Sequence, residues 1–290
     1  MPSNQQIVLD NRPQGEAVAS NFKLVATDTP ALKDGEVLVR HHFLSLDPYM
    51  RGRMNESKSY AASQGLGEVM IGGTVGEVLE SKHPKYAVGD KVVGMGGWQE
   101  YSVVDGNAVG ALRKVDTTHV PLSHYLGAVG IAGGAEKCKY AVEELGFDVC
   151  IDYKEHSDVR AMSKALKEAC PNGIDGYFEN VGGWIMDAVM LRMNAFSRVA
   201  LCGMIAGYDG APLPMANPAL ILINRMKIEG FIVSEHMEVW PDALKELGTL
   251  VGTGKLRPRE TIAQGIAAAP EAFLGLLKGK NFGKQLVKLI

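Results

Sequence analysis

Two glycines followed by a lysine are the feature of this sequence that most directly indicates nucleotide chemistry. Residues 132–137 read Ala-Gly-Gly-Ala-Glu-Lys, and they join a short apolar run to a segment with helical spacing. At the end of the second strand of a dinucleotide-binding unit, an acidic residue would bind the ribose 2′-hydroxyl of NAD. Gly133 and Gly134 leave room instead, and Lys137 supplies a positive charge, which favours the 2′-phosphate of NADP. The competing interpretation of Lys137 is a solvated lysine on a helix.

Three further strand ends carry glycines, small residues or apolar residues. Residues 179–183 read Glu-Asn-Val-Gly-Gly, residues 202–204 read Cys-Gly-Met, and residues 231–233 read Phe-Ile-Val. Cofactors bind at the carboxyl ends of the strands in an open parallel sheet, where glycines let the backbone approach the ligand. Any one of these ends can be an ordinary turn, but four in succession predict one cofactor-binding edge.

The elements that position these residues follow two different rhythms along the chain. The first 125 residues are β-rich, with strands predicted at residues 6–9, 36–46, 69–79, 90–93 and 100–103. Residues 126–255 alternate strands at 129–132, 149–151, 176–178, 198–202 and 228–233 with helices at 135–145, 158–169, 183–190 and 220–225. Such alternation is typical of a parallel α/β sheet.

The last 35 residues return to the first rhythm, with strands predicted at residues 255–261 and 284–290 and a helix at residues 270–277. We therefore predict an α/β protein of two domains. Residues 1–125 and 256–290 form a β-rich domain, and residues 126–255 form an inserted parallel-sheet domain that holds the cofactor.

Composition excludes several classes of partner. The net charge of −3 gives no basic surface for nucleic acid or an anionic membrane. The four cysteines, Cys138, Cys150, Cys170 and Cys202, form no C-x-x-C pair, and no histidine completes a zinc site, so we expect no metal and free thiols in a reducing compartment. With no apolar leader and no long apolar stretch, we expect a cytoplasmic protein.

These motifs resemble the medium-chain dehydrogenase/reductase superfamily. The resemblance covers essentially the whole chain and is greatest to the zinc-free branch, which contains the prostaglandin and leukotriene reductases, the alkenal double-bond reductases and the bacterial curcumin reductase. Its most specific segments are residues 44–54, 132–137, 179–183 and 276–284. The resemblance implies a GroES-like catalytic domain built from both termini, a Rossmann cofactor domain, NADP(H) as cofactor and a homodimer.

The resemblance also implies where the cofactor is contacted. Lys137 and Tyr153 are expected at the 2′-phosphate and adenosine end. The remaining expected contacts follow the other strand ends or lie near the C-terminus: Asn180, Cys202, Gly203, Met204, Tyr208, Phe231, Ile232, Val233 and Asn281.

One part of the family pattern has no counterpart in this sequence. No G-x-G-x-x-G occurs, and only Ile131 and Ala132 separate the linker fragment ending at Gly130 from Gly133. The family pattern implies an interruption of roughly 50 residues between Gly130 and Ile131, more than one strand–helix unit. The first Rossmann strand, the pyrophosphate loop and its helix are therefore expected to be absent.

The chemistry implied is hydride transfer to the β-carbon of an α,β-unsaturated ketone or aldehyde. Such a reaction needs positioning and a hydrogen bond to the enolate oxygen, and Tyr49, Tyr60 and Tyr208 are candidate donors. Each of these tyrosines can also be a packing residue. The alternatives are an NADPH quinone oxidoreductase and a truncated, non-catalytic relative that binds no nucleotide.

Overall fold

The computed structural model describes residues 3–56, 62–108, 112–114, 132–145, 147, 149–170 and 173–289. The chain divides into two compact units. The terminal unit comprises Met1–Val129 and Pro258–Ile290, and the central unit comprises Gly130–Arg257.

The first part of the terminal unit is built from antiparallel strands, and it matches the predicted β-rich texture. Its strands are β1 (Ser3–Leu9), β2 (Phe22–Asp28), β3 (Glu36–Ser45), β4 (Thr74–Ser81), β5 (Lys91–Gly94), β6 (Tyr101–Asp105) and β7 (Leu112–Lys114), with the short helix α1 (Tyr49–Arg53) after β3. The register between β3 and β4 shifts beside Gly76, where a Cβ would lie 2.1 Å from the Arg40 carbonyl oxygen. This approach requires glycine, because any side chain would push the two strands apart.

The central unit is a parallel α/β structure. Its elements are α2 (Ala135–Glu143), α3 (Val159–Ala169), β8 (Ile174–Glu179), α4 (Gly183–Met190), β9 (Met193–Leu201), α5 (Ala219–Ile223), β10 (Lys227–Gly230) and α6 (Trp240–Gly252). The three strands pair in the order β10-β9-β8 and are all parallel. One face of this sheet buries Val199 against Met162 and Leu166 of α3 and Met186 and Val189 of α4.

In the described part of the central unit, one predicted strand is absent, one predicted strand is only partly covered, and one helix was not predicted. Residues 149–151, predicted as a strand, form none, because a strand needs a neighbour for its amides and the structure pairs this segment with no strand among the described residues. The run at residues 129–132 lies outside the described residues except for Ala132. Helix α6 was not predicted, although Pro241 stands in its first turn, where proline is favoured.

The chain returns to the terminal unit with β11 (Glu260–Gln264), α7 (Ala269–Leu277) and β12 (Lys284–Lys288). β12 pairs with β3 and β11 pairs with β12, so the C-terminal strands join the sheet ordered β11-β12-β3-β4-β5-β7 with β6 on β3, while β1 and β2 pair as a separate two-stranded sheet. The strand predicted at residues 255–261 is observed as β11, which begins at Glu260. No helix of the described residues is long and apolar enough to cross a membrane.

Candidate cofactor site

Three turns of the central unit meet at the carboxyl edge of its sheet. They follow β8, β9 and β10 and contain residues 180–182, 202–208 and 231–233. The Cys202 N–H donates to the Glu179 carbonyl at 2.9 Å, and the Ile205 N–H donates to the Asn180 carbonyl at 3.0 Å. The Phe231 N–H donates to the Leu201 carbonyl at 3.2 Å. Backbone hydrogen bonds thus bring together Asn180, Cys202 and Phe231, which are far apart in sequence.

The turn after β8 is shaped by a buried carboxylate. The side chain of Glu179 is fully buried, and its Oε1 accepts the backbone N–H groups of Val181 and Gly182. Gly182 has φ 75° and ψ −165°, a conformation that only glycine adopts without strain. Burial, followed by the charge of Glu179, raises the pKa of Tyr177 on the same strand. Glu179 therefore has a structural role, which sequence reasoning did not assign to it.

The turn after β9 is closed by Tyr208. The Met204 N–H donates to the Tyr208 hydroxyl at 3.4 Å, and a Cβ at Gly203 would lie 3.1 Å from the same oxygen. Tyr208 thus lies beside Gly203 and Met204, and the cofactor contacts expected of these residues stay predictions. Burial raises the pKa of the half-buried Cys202 thiol, so this cysteine is protonated at neutral pH and is a poor nucleophile.

A second cluster surrounds the first turn of α2. A Cβ at Gly133 would lie 2.5 Å from a ring carbon of Tyr153, so the tyrosine ring occupies the space that a side chain would need. Gly134 precedes α2 with φ 108°, and its N–H donates to Asp152 Oδ1 at 2.8 Å. Gly133 is therefore required by the approach of Tyr153, whereas Gly134 is required by its own positive φ, since a Cβ there meets nothing within 4 Å.

This second cluster contains two lysines beside the acidic Asp152. Lys137 is half-buried, and its pKa is lowered first by burial and then by the charge of Lys154. The Lys154 N–H donates to Asp152 Oδ1 at 3.0 Å, which fixes the backbone of the turn that carries Lys154. Two cations at a glycine-rich turn are suited to a phosphate. The sequence motifs did not indicate Asp152 or Lys154, because Asp152 meets Gly134 only in the folded chain, across 18 positions of sequence.

The two clusters are linked within the central unit by an aromatic contact. The rings of Tyr153 and Trp184 meet edge to face, with centroids 6.4 Å apart. Trp184 lies in the first turn of α4, immediately after the turn that contains Asn180 and Gly182. The expected adenosine end and the strand-end turns therefore belong to one continuous part of this unit.

The terminal unit carries the remaining candidate residues. Tyr49 opens α1, is half-buried and packs against the core cluster that contains Met50. Asn281 is half-buried, and its side-chain amide donates to the Gly283 carbonyl at 2.7 Å. Tyr60 lies outside the described residues. The structure thus gives Tyr49 a packing contact, and its catalytic assignment stays a prediction.

Among the residues that the structure describes, no group of three or more His, Cys, Asp or Glu side chains is placed to hold a metal ion. The buried His41 is a structural residue. Its Nε2 lies 2.8 Å from the Ser102 hydroxyl, and burial lowers its pKa to about 3. His41 therefore remains neutral at physiological pH.

Comparison with known proteins identifies the family. Residues 5–112 match the model for the N-terminal domain of oxidoreductases, and residues 126–249 match the model for zinc-binding dehydrogenases. The chain is 37% identical to the NADPH-dependent curcumin reductase of Escherichia coli, over 99% of this chain and 97% of that protein. The chain belongs to the medium-chain dehydrogenase/reductase superfamily. The predicted family and fold class, a GroES-like domain with a Rossmann-type domain, are confirmed.

Other relatives of this family are similar over nearly the whole chain. The NADP-dependent 2-alkenal reductase of Nicotiana tabacum is 34% identical over 98% of this chain and 97% of its own length. Rat prostaglandin reductase 1 is 35% identical over 95% of this chain and 96% of its own length. The crystal structure of CurA from Vibrio vulnificus in complex with NADPH has a TM-score of 0.88 and 37% identity, covering 99% of each chain.

The alignment lengths bear on the expected interruption. The alignment with the E. coli enzyme has 338 positions, whereas 99% of this chain is about 287 residues, so about 50 positions of that relative have no counterpart here. The size agrees with the roughly 50 residues expected from the family pattern. Its placement between Gly130 and Ile131 stays a prediction, because both residues lie outside the described part of the chain.

Proposed function

We propose that this protein reduces the carbon–carbon double bond of α,β-unsaturated ketones and aldehydes with NADPH as the hydride donor. The observation that carries this proposal is 37% identity over 99% of the chain with an NADPH-dependent curcumin reductase. The 34% identity with a 2-alkenal reductase supports the same substrate class, a carbonyl group conjugated to a double bond.

The described residues fit the adenosine end of NADPH. Lys137 and Lys154 supply positive charge for the 2′-phosphate, and Gly133 and Gly134 keep side chains out of this turn. Tyr153 lies over Gly133, where its ring can face the adenosine. We infer that the other contacts come from the strand-end turns and the C-terminal segment: Asn180, Cys202, Gly203, Met204, Tyr208, Phe231, Ile232, Val233 and Asn281.

The chain's own chemistry in this reaction is to bind and orient the carbonyl substrate and to stabilise its developing negative charge. When bound, NADPH supplies a hydride to the β-carbon. Of the three candidate hydrogen-bond donors to the enolate oxygen, Tyr208 is the one in the central unit, in the turn after β9. Its hydroxyl accepts the Met204 N–H, and this polarisation strengthens it as a donor. Tyr49 and Tyr60 are the candidates from the terminal unit.

NADPH consumption at 340 nm tests this proposal with three substrates of different chemistry: an enone, a para-quinone and a saturated ketone. We expect consumption with the enone and formation of the saturated product. Tyr208→Phe should lower kcat by roughly 100-fold, the loss typical of a general acid or oxyanion donor, and should change the Kd for NADPH much less than kcat. Activity with the para-quinone alone would favour a quinone oxidoreductase, and no fluorescence change on NADPH titration would contradict both enzymes.

We also propose a homodimer in the cytoplasm. Leu222 and Ile223 of α5 are 81% and 61% exposed, and adjacent large apolar side chains of this kind support an interface with a second copy. The four free thiols and the NADPH cofactor support a reducing compartment. Light scattering during gel filtration tests the dimer, and a monomer of 31.2 kDa at micromolar concentration would contradict it.

A further inference from the structure

We propose that Asp152 is the positioning residue of the 2′-phosphate site, and that the turn it holds presents Lys154 as a second cation for that phosphate. This inference rests on the proposed function and deepens it, because it assigns the selectivity for NADPH over NADH to two residues that no sequence motif indicated.

One oxygen of Asp152 joins the two segments of the site. Oδ1 accepts the Gly134 N–H at 2.8 Å and the Lys154 N–H at 3.0 Å. Gly134 is the residue before α2, and Lys154 lies in the single helical turn Tyr153–Glu155. A carboxylate held by two amides is rigid, so these bonds fix the distance between the start of α2 and the Tyr153–Glu155 turn.

The effect of Asp152 reaches Lys137 through the backbone. No side chain caps α2. Its N-terminus begins at Gly134, whose φ of 108° is a conformation that glycine adopts readily and other residues rarely adopt. The Gly134 carbonyl accepts the Lys137 N–H at 3.0 Å. Asp152 therefore fixes Gly134 by accepting its N–H. Gly134 in turn accepts the Lys137 N–H in the first turn of α2, from which the Lys137 side chain extends.

Asp152 is flanked by a cation, Lys154, and by acidic groups, among them Glu155. The Gly134 N–H, and then smaller effects that include the Lys154 charge, keep the pKa of Asp152 below its usual value, so the carboxylate stays ionised and accepts both amides. Lys154 is close enough to Lys137 to disfavour its protonated form. A phosphate dianion bound near both ammonium groups would replace this repulsion by two attractions.

Substitution of Asp152 separates its hydrogen bonds from its charge. Asp152→Ala removes the acceptor, so we expect the Kd for NADPH to rise by about tenfold, as for the loss of one or two hydrogen bonds, and the Kd for NADH to change by less than about twofold. Asp152→Asn keeps an acceptor oxygen and removes a negative charge near the phosphate. We expect its NADPH affinity to stay within about threefold of the original protein.

The matched control is Asp158→Ala. Asp158 also caps a helical segment of the central unit, where its Oδ1 accepts the Ala161 N–H at 2.8 Å, but it stands at the start of α3 and touches none of the cluster. We expect this variant to lose stability and to keep the NADPH-to-NADH ratio of Kd values. Lys154→Ala should weaken NADPH binding by about fivefold and leave NADH unchanged, with the exposed Lys167 of α3 substituted by alanine as its control.

Both Kd values are measured by fluorescence titration, and binding of 2′-AMP is measured by calorimetry because this probe reports the 2′-phosphate end alone. Equal losses for NADPH and NADH in Asp152→Ala, or an Asp152→Asn variant as weak as Asp152→Ala, would contradict the positioning role. An unchanged Lys154→Ala would contradict the second cation. If Asp152→Ala fails to fold, Asp152→Asn and Lys154→Ala carry the test.

The same titrations distinguish this inference from the proposed function. An unsubstituted protein that binds neither NADPH nor 2′-AMP overturns both. An unsubstituted protein that prefers NADPH, together with variants that keep the same preference, overturns only the roles of Asp152 and Lys154.

Discussion

The middle strands of the two sheets differ in how well they are covered. In the terminal unit, β3 lies between β12 and β4 and buries six of its ten residues. In the central unit, β9 lies between β8 and β10 and buries only Met193, Ser197 and Val199 of its nine residues, while Phe196 is 70% exposed. Parallel sheets are ordinarily covered on both faces, so the central unit departs from the rule for its class.

The difference indicates where the chain departs from its relatives. Along β9, Met193 and Val199 pack with residues of α3 and α4 and are buried, whereas Phe196 is exposed. On β8, Phe178 is 52% exposed as well, and it meets Phe231 edge to face at 5.9 Å. The alignment with the E. coli enzyme contains about 50 positions that this chain lacks, and a strand–helix unit of that size would cover such a face. We infer that the interruption affects the central unit.

The largest expected effect is a difference in stability between one phenylalanine substitution in the terminal unit and the matched substitution in the central unit. Phe273 of α7 is fully buried beside Phe22 and Trp98, and its ring centroid lies 5.4 Å from that of Trp98. Phe273→Ala should lower the free energy of unfolding by about 3–5 kcal/mol. The matched change Phe178→Ala should cost less than about 1 kcal/mol, because half of this side chain is already exposed. Urea unfolding followed by circular dichroism measures both, and equal costs would show that the outer face of the central sheet is covered.

A smaller effect is expected at the glycine that shapes the turn after β8. Gly182→Ala places a Cβ 3.0 Å from Leu213 in a backbone conformation that disfavours side chains, and it should destabilise the central unit by about 1–3 kcal/mol. Gly176→Ala, on the strand β8 that precedes this turn, is the control, since a Cβ there meets nothing within 4 Å. Thermal unfolding compares the two variants. A Gly176→Ala variant as unstable as Gly182→Ala would mean that β8 has a covering neighbour.

The smallest expected effect is a difference between the two units in how their stability depends on pH. Burial, and then the charge of His42, lower the pKa of His41 from 6.5 to about 3, so the unfolded chain binds this proton before the folded one does. This contribution to stability is therefore complete well above pH 6.5 and is lost as the pH falls, by about 1 kcal/mol between pH 6.5 and pH 5.5. His42 contributes with the same sign, because burial and then Lys91 lower its pKa.

Unfolding by urea at pH 6.5 and pH 5.5 tests this, with His41→Gln as the variant that should lose most of the dependence. In the central unit, the pKa values of Asp152 and Asp158 are lowered from 3.8, so its own acid sensitivity begins at lower pH. A transition of the terminal unit that is independent of pH over this range would contradict the assignment.

Much of the fold was predictable because it depends on local patterns. The alternation of β3 predicted a strand, and the spacing of Cys138 and Val142 predicted α2. The glycines at residues 133, 134 and 182 predicted strand-end turns, and the structure has turns there, with Tyr153 packed over Gly133 and the Glu179 carboxylate accepting the Gly182 N–H. The approach of a cofactor to these glycines stays a prediction.

The rest depends on contacts between distant residues. Nothing in the local sequence indicates that Asp152 accepts the Gly134 N–H across 18 positions, or that Trp184 meets Tyr153. The strand predicted at residues 149–151 has the apolar composition of a strand but no partner in the described sheet. Pairing of strands is a property of the whole sheet, so composition alone does not determine it.

The fate of the transferred hydrogen tests the central claim most directly. NADPH that carries deuterium at the transferred position of its nicotinamide ring is incubated with the protein and an enone, and the product is analysed by mass spectrometry and NMR. We predict a saturated ketone with one deuterium on the β-carbon. Deuterium on the carbonyl carbon of an unsaturated alcohol, or no transfer at all, would contradict double-bond reduction by this chain.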